Sequence, residues 1–342
     1  MLFQKSIIQQ GPKKAALVTD RPIPRLRPGY VLVRVRAVGL NPADWKHIEF
    51  ADTPGCLLGY DYAGEVVEVG SGYSKAWKVG DRLCGLVHGG NCFEKEDGAF
   101  AEMIVVRADV QLSIPDHMSF EAAATLGTGV VTAGQGLYQG MGLTLPAESL
   151  TTKEFILIYG GSTTIGTYGI QFAKLSGYIP ITTCSPRNFE FVKSIGAVAA
   201  FDYNDPECAA QIKEYTNNTL KLVWDAVTLE SSINICIDVI SPRGKYGKVL
   251  ATEIPRTDIT ISDSVGLTAL GEPIDKGFFK AADTSHDFEF MKKLVAIVDK
   301  LLAEGKIVAH PPQVDYGMDK VFEGLDLLKN NKVSGHKLVY VL

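Results

Sequence analysis

Hydrophobic and polar positions change their rhythm along this chain. Between Lys13 and Val110 the apolar residues come in short runs, AALVT, YVLVRVRAVGL, AGEVVEVG, DRLCGLV and FAEMIVV, cut by Gly, Pro and Asp. Runs of that kind bounded by turn residues predict short strands, here forming a compact β-barrel-like domain. After IPDHMS the pattern lengthens: FEAAATLGTGVVTAGQGLYQGM is helix-compatible, with Ser119 placed to cap its start. From residue 155 to about 252 the runs FILIY, IPITT, AAF, LVWDAV and GKYGKVLAT alternate with helix-type segments such as GTYGIQFAKLSG and NFEFVKSIG. That βαβ alternation predicts a doubly wound parallel sheet. The tail holds an amphipathic run, FEFMKKLVAIVDKLLAEGKI, then Pro311-Pro312, a helix around DKVFEGLDLLKNN and a last strand, HKLVYVL. It is expected to return to the N-terminal domain, giving one domain of residues 1–123 with 290–342 and a second of residues 124–289.

The stretch FILIYGGSTTIGTYGIQ, residues 155–171, joins a strand to a helix through glycines. A helix N-terminus entered that way offers free amides and a positive dipole end to a dinucleotide pyrophosphate. Its candidate contacts are Gly161, Ser162, Thr163, Thr164, Ile165 and Gly166. The motif reads Gly161-x-Thr163-x-x-Gly166, with threonine where the usual pattern has its middle glycine, so a merely tight connection is the plainer alternative. About 20 residues on, where a carboxylate grips the ribose of NAD, the chain has Ser185, Arg187 and Asn188. A carboxylate would repel a 2′-phosphate, whereas these side chains donate to one, so the cofactor expected is NADPH.

A chain of 342 residues with 46% hydrophobic content fills more than one core. Its net charge of -5 and the absence of a long basic run leave no electrostatic footprint for nucleic acid or an anionic membrane. The start, MLFQKSIIQQGPKKAALV, lacks a signal-type apolar core, and nothing approaches the roughly 18 apolar residues of a span, which predicts a soluble, cytoplasmic protein. Six cysteines are scattered without a C-x-x-C pair, as expected of reduced thiols.

LNPADWKH at 40–47, LGYDYAGEVVEVG at 58–70 and the expected fold together resemble the medium-chain dehydrogenase/reductase superfamily over nearly the whole chain. GGSTTIGTYGIQFAKLSGY and TTCSPRNF are most similar to fungal zinc-free enoyl reductases acting in trans with polyketide synthases, and next to quinone oxidoreductases. The resemblance implies a GroES-like β-barrel catalytic domain plus a Rossmann domain, with NADPH in the cleft between them. In zinc alcohol dehydrogenases of the superfamily the region of Asn41 supplies a cysteine ligand and that of Tyr60-Asp61 a His-Glu pair. Here an amide and a phenol replace them, and no metal is expected; His47 and His88 are expected to be loop or surface residues.

Without a metal the reaction that fits best is conjugate reduction, because hydride delivery to a β-carbon gives an enolate whose charge is spread and whose oxygen hydrogen-bond donors can stabilise. Lys46 is the first catalytic candidate, to polarise the carbonyl or relay a proton, with an exposed lysine touching cofactor phosphate as the plainer reading. Tyr60 could donate from the former metal position or simply fill its volume; Asp61 is a weaker acid candidate. By resemblance Thr128 lies beside the nicotinamide, Asn41 is counted among the cofactor contacts, and Tyr203 flanks the adenosine phosphate. Leu270 and Gly271 border cofactor or substrate, and Phe278 and Phe279 line an acyl pocket or belong to the core. The expected activity is NADPH-dependent enoyl reduction, with a polyketide synthase carrier domain as transient partner and a monomer or homodimer as the working form. The alternatives are a quinone or free-enone reductase and a non-catalytic NADPH-binding protein.

Overall fold

The computed structural model describes residues 2–146 and 153–342, which divide into two compact units within Met1–Thr128 plus Leu267–Leu342 and within Gly129–Gly266. In the first, the strand Tyr30–Gly39 is the organising element. Its run YVLVRVRAVG is buried at nearly every position, as expected of a strand covered on both faces. It pairs antiparallel with Asp61–Val69, with Met103–Arg107 and with Lys337–Val341. The sheet continues to Pro312–Tyr316 on one side and to Arg82–Leu86 and Leu112–Ser113 on the other. Val31, Val33, Tyr62, Leu83, Phe100 and Ile104 form its core, and burying each such side chain contributes about 1.5–3 kcal/mol.

The tail returns to this sheet: Val339 faces Gly39 and Val341 faces Ala37. Lys337 therefore comes to the end of the Tyr30–Gly39 strand, where Gly39 must lack a side chain because a Cβ there would strike the Lys337 stem and the Ala124 carbonyl. Residues 267–289, which the sequence reading grouped with the nucleotide domain, pack with the first unit. They are tied to it by Lys276, whose ammonium donates to the Gly89 and Gly90 carbonyls at 2.7 and 3.0 Å. The helix-compatible run after Ser119 is broken: Ser119 caps Phe120–Ala123, accepting from Ala122 N at 3.2 Å, and a separate helix spans Gly127–Gly134. The break brings Gly127 so close to Gly85 and Asp61 that no side chain fits there.

The second unit is a six-stranded parallel sheet in the order Ala199–Phe201, Ile179–Thr183, Phe155–Tyr159, Leu222–Asp225, Lys245–Lys248, Thr260–Asp263. Leu157, Ile181, Val223 and Tyr246 lie in its core. The segment NFEFVKSIG holds the short helix Phe189–Ser194, as expected, whereas the helices Cys208–Tyr215 and Glu230–Val239 and the edge strand Thr260–Asp263 had no specific sequence expectation.

Candidate functional site

Three neighbouring strands of the second unit end level with one another, Tyr159 opposite Thr183 and Thr183 opposite Phe201. The loops that follow them, at 160–163, 184–188 and 202–203, thus share the carboxyl edge of the sheet, where open α/β folds bind ligands. The chain leaves the first strand through Gly160, at φ +79, a conformation glycine adopts without strain. Gly161 has no room for a Cβ against Thr182, nor Gly166 against the Gly160 carbonyl. Thr163, at the position of the missing glycine, is the N-cap: its Oγ1 accepts from Gly166 N at 3.0 Å and donates to the Gly160 carbonyl at 2.8 Å. Ser162, Thr163, Thr164 and Ile165 are half-buried around the start of a 12-residue helix, Thr164–Leu175. Its first-turn amides and dipole suit an anion.

On the adjoining loops Ser185 Oγ and Tyr203 Oη lie 3.1 Å apart. Arg187 is exposed and makes no ion pair among the described residues, and Asn188 is half-buried beside it. The segment 185–188 offers donors and no carboxylate.

In the first unit the helix Pro42–Phe50 starts at Asn41 with a proline at its first position, and Asn41 N donates to Asp44 Oδ2 at 2.7 Å. Spacing by three sets Asn41, Asp44 and His47 on one buried face. Asp61, fully buried at the start of its strand, is the centre of this group. Its Oδ1 accepts from Thr128 N at 2.7 Å and Thr128 Oγ1 at 2.6 Å. Its Oδ2 accepts from Asn41 Nδ2 at 3.1 Å and from the Lys337 ammonium, which also donates to Asn41 Oδ1 at 2.8 Å. Four donors therefore saturate one carboxylate, and a buried cation balances it.

A second chain of bonds fixes a proton on Tyr60. Gln9 Nε2 donates to the Ala51 and Gly11 carbonyls, at 2.7 and 3.3 Å, which turns its oxygen to Thr53. Thr53 Oγ1, 2.5 Å from that oxygen, must donate to it, so His47 Nε2, 2.8 Å from Thr53 Oγ1, must donate in turn. Burial and the nearby Lys276 and His88 push the His47 pKa down to about 3. The ring is neutral at physiological pH, its Nδ1 is bare, and Tyr60 gives its phenolic proton to it over a long 3.4 Å. Burial also raises the Tyr60 pKa, so the phenol keeps that proton.

Lys46 is half-buried on the same helix, its ammonium 5.8 Å from the Trp45 ring centroid and without an ion pair among the described residues. Burial lowers its pKa. Leu270 is buried, and Gly271, at φ +70, packs on the Phe288 ring. Phe278 is 70% exposed and Phe279 half-buried on the small hairpin Ile274–Asp275 and Lys280–Ala281.

The sequence reading did not single out Lys337 or Lys276, because each is defined by partners distant in the chain, nor Asp44, whose bond to the Asn41 amide is local. It expected His47 and His88 in loops or at the surface; the structure buries both, His47 on the helix Pro42–Phe50 and His88 in the loop after Arg82–Leu86. Each is held there by a partner, His47 by Thr53 and His88 by Glu272, with Nδ1 3.0 Å from the carboxylate. Among the described residues no three His, Cys, Asp or Glu side chains gather as a metal-holding group.

The family model for the alcohol dehydrogenase GroES-like domain matches residues 27–116, and that for zinc-binding dehydrogenase matches residues 164–262. The chain is 44% identical to trans-enoyl reductase resD of Aspergillus sclerotiorum, across 98% of this chain and 99% of that protein. It is 50% identical to trans-enoyl reductase TOXD of Cochliobolus carbonum, across 80% of this chain and 92% of that one. Among solved structures, an alcohol dehydrogenase superfamily protein from Novosphingobium aromaticivorans superposes over 100% of both chains, with a TM-score of 0.80 at 23% identity. CurK enoyl reductase does so over 99% of both, with a TM-score of 0.77 at 20% identity. The chain belongs to the medium-chain dehydrogenase/reductase family, alongside the fungal trans-enoyl reductases.

Proposed function

We propose that this protein is an NADPH-dependent, metal-independent enoyl reductase that saturates an α,β-unsaturated acyl thioester. On this reading the thioester is carried by a polyketide synthase carrier domain, a transient partner met in the cytoplasm. The observation that carries the metal-independent chemistry is the saturated state of Asp61. Asn41, Thr128 and the Lys337 ammonium already occupy its oxygens, and a buried ammonium on the carboxylate oxygen that accepts from Asn41 Nδ2 repels a divalent cation.

The glycine turn fits a dinucleotide: Gly161 and Gly166 leave no side chain over the first helical amides, and Thr163 caps without blocking Thr164 and Ile165. Ser185, Arg187 and Asn188 would take the 2′-phosphate, Arg187 by two parallel donors. Bound NADPH supplies the hydride. Charge then develops on the thioester oxygen as the β-carbon is reduced, and Lys46 is the donor this chain offers it, a role worth about 2.7–4 kcal/mol in comparable sites. Protonation of the α-carbon completes the reaction, by Lys46 or by water that Lys46 orders. Tyr60, its proton committed to His47, is buried and fills volume in the first unit without serving as a donor to the substrate.

The test follows NADPH absorbance with metal-stripped protein offered a short enoyl thioester, a quinone or an aldehyde. Oxidation with the thioester supports the reading; activity with the quinone alone, or none with any, overturns it.

A further inference from the structure

Four consecutive residues, Gly89 to Cys92, tie the barrel to the small hairpin Ile274–Asp275 and Lys280–Ala281. The Gly89 and Gly90 carbonyls accept from Lys276 at 2.7 and 3.0 Å, and Cys92 Sγ donates to the Asp275 carbonyl at 3.4 Å. On its other side the same loop meets a second thiol. Cys56 Sγ donates to the Asn91 carbonyl at 3.2 Å, and Gly90 N donates to the Leu57 carbonyl at 2.7 Å. A carbonyl oxygen lies within about 3 Å of the next residue's Cα, so the Cys56 sulfur is within about 6 Å of the Cys92 Cα. Rotation of the Cys92 side chain and a small shift of the loop can close that separation to a bond. Of the six cysteines Cys92 is the exposed one, and the other five are buried. Burial lowers the Lys276 pKa, and Cys56 and Cys92 are the first charges that oppose the lowering, which sets both sulfurs near one ammonium. The Lys280 ammonium, paired with Asp275 at 2.8 Å, is within electrostatic reach of Cys92 as well. An exposed thiol among cations, with a second thiol at hand, is an arrangement that reacts with peroxide.

We propose that Cys92 and Cys56 are a peroxide-responsive thiol pair, Cys92 the site of oxidation and Cys56 the resolving thiol, whose disulfide changes the hold of loop 89–92 on the hairpin. The Cys92 thiolate attacks one oxygen of hydrogen peroxide, the O–O bond breaks, and Cys92 becomes a sulfenic acid as hydroxide leaves. The Cys56 sulfur gives up its proton and attacks the Cys92 sulfur; the S–S bond forms, the S–O bond breaks and water departs. The sum is two thiols and one peroxide giving one disulfide and two waters. Burial raises the Cys56 pKa, so this thiol keeps its proton until a sulfenic acid stands beside it, which suits the second step and not the first. The disulfide takes Cys56 from the Asn91 carbonyl and Cys92 from the Asp275 carbonyl, leaving the Lys276 ammonium as the loop's tie to the hairpin. Cellular dithiols reverse it, as they do other redox-sensing disulfides of reducing compartments. The site needs neither cofactor nor substrate.

The experiment reduces the full chain, removes the reductant, adds hydrogen peroxide and maps the protein by mass spectrometry after digestion without reduction. The expected product is a linked Cys56–Cys92 peptide pair, lighter by two hydrogens and separated again by dithiothreitol. Cys84, Cys184, Cys208 and Cys236, all buried, should remain free to alkylate once the protein is unfolded. Cys92→Ser should abolish the link, and Cys56→Ser should stop the reaction at a Cys92 sulfenic acid that dimedone captures. Where the Cys56 variant does not fold, brief peroxide treatment of the wild type with dimedone present reads the same intermediate. Hydrogen exchange in residues 274–281 should quicken on oxidation and return on reduction. Cys92 carried to a sulfinic acid without a link, a Cys92 link between two copies of the chain, or a link between any other pair overturns the proposal. Unchanged exchange in 274–281 overturns the effect on the hairpin.

Discussion

Asp44 allows a test of the buried polar face on stability alone. Burial raises its pKa to about 8, against opposing bonds from the Asn41 and Tyr60 amides, and Asp61 pushes the same way as burial. Its Oδ1 has no hydrogen-bond partner, so a charge on this carboxylate would be poorly compensated. The folded state therefore holds this proton from about pH 4, where the unfolded carboxyl loses it, up to about 8. A native state that binds more protons than the unfolded one loses stability as pH rises, here fully stabilised below the unfolded pKa and weakened through the folded one. With 1.36 kcal/mol per unit, the loss between pH 6 and 8 is about 2 kcal/mol.

Asp44→Asn removes the titration while keeping an oxygen for the Asn41 amide. Any cost of placing an amide in the site is the same at both pH values and cancels. Urea unfolding of wild type and variant, read by the fluorescence of Trp45 and Trp77 in the first unit, should therefore show the variant gaining about 2 kcal/mol on wild type from pH 6 to pH 8. Asp97, raised to about 7, titrates in the same window and is common to both proteins. His47 and His310, lowered to about 3, act on the acid side, where stability falls as pH drops below the ordinary histidine range. Parallel pH profiles for the two proteins would refute the reasoning.

Lys46→Ala should lower kcat on the enoyl thioester by about 10²–10³-fold with little change in NADPH affinity; an equal loss in both would make it a phosphate contact. Arg187→Ala should weaken NADPH about 10- to 100-fold and leave NADH unchanged, the worth of a charged hydrogen bond, and direct binding titration of both cofactors decides it. Tyr60→Phe should keep kcat within about threefold, since its proton faces His47 across 3.4 Å and serves no outer acceptor; a drop beyond tenfold would show that the proton is used elsewhere.

Local signals carried most of the fold. FILIY is the strand Phe155–Tyr159 and IPITT is Ile179–Thr183, residue for residue, because an apolar run closed by glycine or a polar turn has one economical folding. The glycine turn was equally legible, and Thr163 shows why the departure from pattern is tolerated: the helix cap needs a side-chain oxygen where a middle glycine has none. The strand Phe3–Gly11 was not anticipated, since FQKSIIQQG breaks the alternation that marks a strand, and its buried Gln4 and Gln9 are satisfied by distant partners. Lys337 was hidden for the same reason. Its partner Asp61 lies 276 positions away, and in HKLVYVL a lysine before an apolar strand reads as a solvated end.

The charges of the first unit support Lys46 as the donor in the proposed function. Lys337 is spent on Asp61, and burial holds Asp44 protonated and His47 neutral near pH 7. Lys276, its pKa lowered to about 8 by burial, gives its protons to the Gly89 and Gly90 carbonyls. Glu272 is taken by His88 and by Tyr30. Each of these groups is closed by a partner or by loss of charge, so none can answer new negative charge without breaking what holds it. Lys46, half-buried and without an ion pair among the described residues, would answer at no such cost. Its lowered pKa strengthens it as an acid, because an ammonium already short of solvent gives up a proton more readily than a hydrated one. On the proposed function, Lys46 is the ammonium that could meet an enolate without breaking one of these pairs.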